Sequence, residues 1–136
     1  MQVSQVPEQP IAVIHGRATT ANLSKQIREL FDQFYAGFKG KGGLNIVLYP
    51  CSSVAGEFEI ACGVQLEHGG NASTPGGAVA TTVHMGSYDQ IKNAHTAIHQ
   101  WTGESGRRLA GPSWEVYGHW TDDAANLRTD IFYLLS

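Results

Sequence analysis

The sequence contains little charge, few cysteines and no long hydrophobic run. Charged residues make up 15% of its 136 positions and the net charge is -3, so the chain is too acidic for routine contact with phosphate backbones, and we expect no direct nucleic-acid partner. No segment approaches the length that crosses a bilayer, and the opening MQVSQVPEQP has neither a basic start nor an apolar run. We therefore predict a cytoplasmic protein of one domain, residues 1–136, that does not bind membranes.

The two cysteines, Cys51 and Cys62, are predicted to be free thiols. If residues 44–51 and 57–66 pair as a hairpin, position 62 lies opposite Ile46 and far along the ladder from Cys51, which argues against a disulfide. Neither cysteine belongs to a CxxC pair or has a histidine near it in sequence, so neither is typical of a metal site. We expect Cys62 to lie on the core face of its strand.

Two histidines, His95 and His99, are spaced as two metal ligands on one face of a helix would be. No glutamate stands between them in the zinc-protease pattern, and no third ligand is evident. We therefore predict neither a metal nor a cofactor.

The first half of the chain shows strand, helix, strand and strand patterns in that order. The β-branched run at 11–16 predicts a strand, and an apolar stripe at three- and four-residue intervals over 23–38, preceded by Asn22 as N-cap, predicts a helix. The alternating stretches 44–50 and 57–64 predict a hairpin that turns around 53–55.

The second half repeats this order after a polar, glycine-rich stretch. A strand is predicted at 78–86, followed by a helix over about 88–102 in which Ser87 and Gln90 have the spacing of a capping box. A second hairpin is predicted from 112–120 and 128–135.

The repeated order predicts an α+β fold. Its parts are repeat one at about 11–66, a connector at 67–77 and repeat two at about 78–135. Two such strand-helix-strand-strand units can cover their exposed faces by packing together about a pseudo-two-fold axis. We expect an antiparallel sheet with the helices packed on one side and a central ligand cleft between the halves.

The strand PSWEVYGHW, at 112–120, places polar groups in one row. Side chains alternate along a strand, so Trp114 belongs to the core face, and Glu115, Tyr117 and His119 share the other face. A carboxylate, a phenol and an imidazole in a row suit either a solvated outer face or the lining of a cleft. The pattern alone leaves both interpretations open.

Several short motifs resemble the effector-binding domain of the gyrase-inhibitory-protein family, which is also found at the C-terminus of multidrug-responsive transcription activators. The resemblance is uneven, because the first half carries little more than the order of elements, and Leu134 stands where the family's closing strand has proline. Only ten residues precede the first predicted strand, so we expect no attached helix-turn-helix reader. The matching residues are Pro75-Gly76-Gly77, His84, Gly86, Tyr88, Trp101, Glu115, Tyr117, Thr129-Asp130-Ile131 and, in the first half, Tyr49-Pro50.

The resemblance implies a central pocket for a bulky, apolar, aromatic or cationic small molecule. Glu115 would anchor the charge of such a guest, and Tyr117 and Tyr49 would supply an aromatic wall. Three other residues, Trp114, Trp101 and His84, are weaker candidates for ligand binding than the tyrosines. Strand alternation puts Trp114 on the opposite face of the sheet, and helical spacing favours a core role for Trp101. A structural hydrogen bond is the favoured role of His84.

Two further functions are compatible with the same residues. An acid beside a phenol can protonate a leaving group or activate a water, so Glu115 and Tyr117 could serve a hydrolase of reactive electrophiles, as some stand-alone proteins of the family are thought to do. The domain could also be a regulator that docks on another protein, such as a topoisomerase. The sequence is equally compatible with a monomer and an oligomer.

Overall fold

The computed structural model describes residues 2–40, 42–50, 57–119 and 122–136. Its two helices are α1, Leu23–Gly37, and α2, Ile91–Ser105, and short 3-10 turns lie at Tyr88–Gln90 and Ala124–Asn126. Its strands are β1 (Gln2–Val6), β2 (Gln9–Thr19), β3 (Asn45–Tyr49), β4 (Glu57–Gln65), β5 (Ala72–Thr74), β6 (Gly77–Met85), β7 (Leu109–Tyr117) and β8 (Arg128–Leu135).

The described strands form one antiparallel sheet that curls into a half barrel. The strand order is β1-β6-β8-β7-β3-β4-β2-β5, so the β3 and β7 pair joins the two halves edge to edge. Read outward from this central pair, each half has the same order of strands. The predicted α+β fold is confirmed, and exact two-fold symmetry between the halves stays a prediction.

Both helices pack on one face of the sheet through their apolar stripes. In α1, Leu30 and Phe34 are buried, and Leu30 packs with Val47 and Ile60 of the sheet. In α2, Ile98 is fully buried in a second cluster with strands β6 and β8. Helix α1 therefore lies over β2 and β4, and α2 lies over β6 and β8, so the two helices flank the central strands β3 and β7.

The opposite face of the curled sheet holds a separate apolar cluster. Trp114 lies there, 4% exposed, with its ring stacked on Phe132 at a centroid distance of 5.4 Å. Strands from both halves contribute to this cluster, including Ile11 of β2 and Val79 of β6. The two halves therefore share one core on this face as well as one sheet.

The helix ends differ in detail from the sequence prediction. Asn22 does precede α1, but its side chain accepts a hydrogen bond from the Thr19 N–H instead of capping a helix amide. The predicted capping box is wrong: Ser87 makes no side-chain capping bond, and the Gln90 side chain accepts from Asn93 on the next turn. A 3-10 turn takes the place of the first predicted turn of α2, which moves the helix start to Ile91.

Two edge strands and one register were not predicted. Strands β1 and β5 are short and have no long apolar run, and their pairing with β6 and β2 is a long-range property. In the β3 and β4 hairpin, Cys62 lies opposite Val47 and not Ile46, a shift of one residue. The predicted turn at 53–55 and Cys51 lie outside the described residues.

The thiol of Cys62 is expected to be chemically inert in the folded protein. The residue is free and fully buried, and burial, with a smaller contribution from the Glu115 charge, raises the pKa of its thiol to about 12. In a Cys51→Ser variant, iodoacetamide at pH 8 should leave Cys62 unmodified by mass spectrometry and should label it fully in guanidinium. Rapid labelling without denaturant would contradict this burial.

Candidate functional site

A cavity of about 1190 Å³ lies between α1 and α2, with the centre of the sheet as its floor. Helix α1 contributes mainly apolar side chains and α2 mainly polar and charged ones, and strands β3, β4, β7 and β8 contribute aromatic and polar groups. Its lining consists of Thr20, Leu23, Ser24, Ile27, Arg28, Phe31, Asn45, Tyr49, Phe58, Tyr88, Ile91, Lys92, His95, His99, Gly111, Ser113, Glu115, Tyr117 and Tyr133.

Glu115 occupies the middle of this floor. In the sheet it pairs with Val47 on one side and Ile131 on the other, and both of these side chains are fully buried. The glutamate itself is 4% exposed, so protein groups replace nearly all of its contact with water. A carboxylate in such a place must be compensated by hydrogen-bond donors or by a cation.

Three side chains supply donors to this carboxylate. The Tyr117 hydroxyl donates to Oε1 at 2.8 Å, and the Tyr49 hydroxyl donates to the same oxygen at 3.3 Å. On the other oxygen, Oε2 lies 2.6 Å from Nε2 of His95, which reaches down from α2. The carboxylate is therefore held by donors from both the sheet and the helix. The donors on the Oε1 side are neutral phenols, which do not compensate its charge.

His95 continues the network to a third phenol. Its Nδ1 lies 2.6 Å from the hydroxyl of Tyr133 on β8, and the two rings meet edge to face at a centroid distance of 5.5 Å. With a charged Glu115, His95 must carry a proton on Nε2, and Tyr133 can donate to Nδ1. The network thus runs from Tyr117 and Tyr49 through Glu115 and His95 to Tyr133.

The phenols of this network stay protonated across the physiological range. Burial, followed by the charge of Glu115, raises the pKa of Tyr49 and of Tyr117 well above the usual value. The same two causes raise the pKa of Tyr133 to about 12. All three hydroxyls therefore remain available as donors at physiological pH.

The predicted site residues separate into two groups in the structure. Glu115, Tyr117 and Tyr49 come together on the cavity floor. Trp114 is directed to the other face of the sheet, and Trp101 is half-buried in the cluster under α2. His84 does not line the cavity, and its Nε2 lies 2.9 Å from the carbonyl oxygen of Ser87.

Several lining residues were not among the sequence candidates. The sequence suggested no role for His95 and His99 other than metal binding. Among the described residues, no group of three or more His, Cys, Asp or Glu side chains could hold a metal ion. The four-residue spacing of His95 and His99 indicates that they share one face of the helix. The sequence near them does not indicate that this face is directed toward Glu115. Tyr133 could be assigned to the α2 face by strand alternation, yet its distance from His95 depends on helix placement. His119, predicted to share the face of Glu115, is exposed beyond the end of β7.

No helix in the described part of the chain is both long and apolar enough to span a membrane.

Comparison with solved structures finds close agreement in fold at low sequence identity. The C-terminal domain of EcmrR is 21% identical, with a TM-score of 0.71 over 99% of this chain and 96% of that one. EcmrR in a complex with DNA is 18% identical, with a TM-score of 0.76, and this chain covers 99% of its own length but only 56% of the EcmrR chain. SAV2435 bound to tetraphenylphosphonium is 11% identical, with a TM-score of 0.72 over 99% and 93% of the two chains.

Comparison with curated proteins found no match. A family model for the GyrI-like small molecule binding domain matches residues 1–135, which is nearly the whole chain. The helix-flanked cavity and its buried acid therefore occur in a chain that belongs to the GyrI-like small molecule binding domain family.

Proposed function

We propose that this protein binds a bulky aromatic cation in the cavity between α1 and α2, with Glu115 as the electrostatic anchor. The observation that carries the proposal is a carboxylate only 4% exposed at the floor of a cavity of about 1190 Å³. A carboxylate offers roughly four acceptor positions, and three are used by Tyr117, Tyr49 and His95. Among the described residues no fourth donor reaches this carboxylate, so part of its negative charge is left for a cationic guest.

The aromatic lining supports a flat or globular aromatic guest. The rings of Tyr88 and Tyr117 meet edge to face at a centroid distance of 5.4 Å, and the ring centroids of Tyr49 and Phe58 are 6.2 Å apart. A cation within about 6 Å of such rings gains roughly 0.5 to 2 kcal/mol from each favourable contact. The family model describes small-molecule binding, and the neighbour SAV2435 was solved with tetraphenylphosphonium, which has the charge and shape proposed here.

The proposal includes a cytoplasmic location and no direct contact with nucleic acid. The net charge of -3 gives no general attraction to phosphate backbones. The DNA complex of EcmrR concerns a chain of which this one covers 56%, so it does not argue for DNA binding here.

We expect the isolated protein to bind methyltriphenylphosphonium at least about tenfold more tightly than triphenylphosphine oxide, a neutral molecule with the same three phenyl rings on phosphorus. The reason is that only the cation gains from the buried charge of Glu115. Isothermal titration calorimetry at pH 8 measures both affinities. Equal affinity would show that aromatic bulk alone is recognised and would remove Glu115 from the proposal.

A hydrolase of reactive electrophiles is the second candidate. It is favoured by the 2.8 Å hydrogen bond from the Tyr117 hydroxyl to Glu115, which orients the carboxylate. The carboxylate could take a proton from an attacking water and pass the same proton to the leaving group. Turnover of an electrophile that is lost in Glu115→Gln, with binding retained, would support it. If the protein neither binds nor hydrolyses such molecules, the remaining candidate is a regulator that docks on another protein.

A further inference from the structure

One member of the hydrogen-bonded network at the cavity floor is a histidine, the side-chain type that most readily exists in either a neutral or a protonated form. His95 lies between Oε2 of Glu115 and the hydroxyl of Tyr133, at 2.6 Å from each, and its side chain is 23% exposed. It is therefore in contact with the anchor of the proposed guest and still accessible from the cavity. Its position on α2 makes it part of the wall as well as part of the floor.

Both charge states of His95 satisfy their hydrogen bonds in this geometry. The neutral imidazole donates from Nε2 to Glu115 and accepts from the Tyr133 hydroxyl at Nδ1. The imidazolium donates from both nitrogens, and the Tyr133 oxygen then accepts. No rearrangement of the backbone is needed for the ring to gain or lose a proton.

The two states present different charges to a guest. With neutral His95, the pair formed with Glu115 carries one negative charge and attracts a cation. With protonated His95, the pair is neutral overall and the imidazolium already compensates the carboxylate. A cationic guest then meets a positive ring beside the anchor, and binding requires release of the proton.

We propose that His95 determines the charge selectivity of this cavity, admitting aromatic cations when neutral and acting as a resident counter-ion that excludes them when protonated. This inference rests on the proposed function of the same site. It assigns to a histidine, and not only to the acid, the choice between cationic and neutral guests.

Several other charged or titratable groups surround His95. On the sheet it faces the Glu115 carboxylate and three phenols. Burial and the charge of Glu115 raise the pKa of each of these phenols, Tyr49, Tyr117 and Tyr133. Among the described residues, the other charged or titratable side chains that line the cavity are Tyr88, Arg28 of α1, and Lys92 and His99 of α2, all of them exposed. Arginine and lysine side chains ordinarily lose their charge only at much higher pH, so the test must separate His95 from His99 and from Glu115 itself.

The test uses tetraphenylphosphonium, whose charge does not depend on pH, and the full chain at several pH values between 8 and 5.5. As the pH is lowered and the imidazole becomes protonated, the affinity of the wild type for tetraphenylphosphonium should fall by up to about tenfold for each pH unit. The reason is that one proton must leave for each cation bound. His95→Gln keeps an amide donor for Glu115 but cannot be protonated, so its affinity should be nearly independent of pH. His99→Gln, on the same face of α2, should keep the pH dependence of the wild type whatever its absolute affinity.

Each other outcome overturns part of the inference in a recognisable way. Binding that depends on Glu115 but is equally flat with pH in the wild type and in His95→Gln removes the role of His95 and leaves the proposed function intact. A pH dependence that persists in His95→Gln contradicts the inference: its loss in His99→Gln would assign it to His99, and its presence in both variants would assign it to Glu115. No detectable binding by the wild type at pH 8 overturns both the proposed function and this inference.

Discussion

Glu115→Gln is expected to weaken the binding of tetraphenylphosphonium by roughly 30- to 1000-fold. The upper figure corresponds to about 4 kcal/mol, the attraction between unit charges about 4 Å apart at an effective dielectric constant near 20, and desolvation of the carboxylate reduces it. The substitution removes the charge and keeps the shape, since the carbonyl oxygen of the introduced amide would still accept from the Tyr117 and Tyr49 hydroxyls. His95 can shift its proton to Nδ1 and accept at Nε2 from the NH₂ group of that amide, so the variant should fold.

The matched control for this experiment is Glu59→Gln. Glu59 lies on the same sheet, its side chain is 47% exposed, and it lies 3.9 Å from Arg17 at the surface. Removing its charge alters the net charge of the protein by the same amount and should leave the affinity within about twofold. A similar loss in both variants would show that the long-range charge of the protein, and not the buried anchor, attracts the cation.

Trp114→Ala is expected to lower the free energy of unfolding by about 3 to 5 kcal/mol. The indole is buried on the face of the sheet opposite the cavity and stacks on Phe132, so truncation leaves a void in a core shared by both halves. Guanidinium unfolding followed by far-ultraviolet circular dichroism measures the change. The same truncation at Trp101, which is a half-buried residue of α2, should cost less.

The conservative variant Trp114→Phe separates packing from ligand contact. It keeps an aromatic ring beside Phe132 and should bind tetraphenylphosphonium as the wild type does, because Trp114 does not line the cavity. A tenfold loss of affinity with unchanged stability would mean that Trp114 contacts the guest. That result would support the prediction that Trp114 is a ligand-binding residue.

The central part of the site follows from local patterns in the sequence. Alternation along 112–120 is sufficient to separate Trp114 from Glu115 and to put Glu115 and Tyr117 on one face, and the structure has this arrangement. The two apolar stripes predict the helices because burial of one face at a period of 3.6 residues depends on neighbouring residues only. The register of the β3 and β4 hairpin was missed by one residue, since alternation fixes the face of a strand but not its partner.

Only the tertiary structure decided what surrounds the acid. His95 and Glu115 stand 20 residues apart on a helix and a strand, and Tyr49 is 66 residues from Glu115, so their contacts depend on how α2 and β3 are placed over and beside β7. The edge strands β1 and β5 likewise exist because distant strands offer them hydrogen bonds. The sequence by itself determined which faces are apolar and which residues share them, because periodicity is local. The curl of the sheet and the packing of two helices decided that the face carrying Glu115 forms the floor of a cavity, with His95 in contact with the carboxylate. The distance between these two side chains is set by packing between segments far apart in the chain.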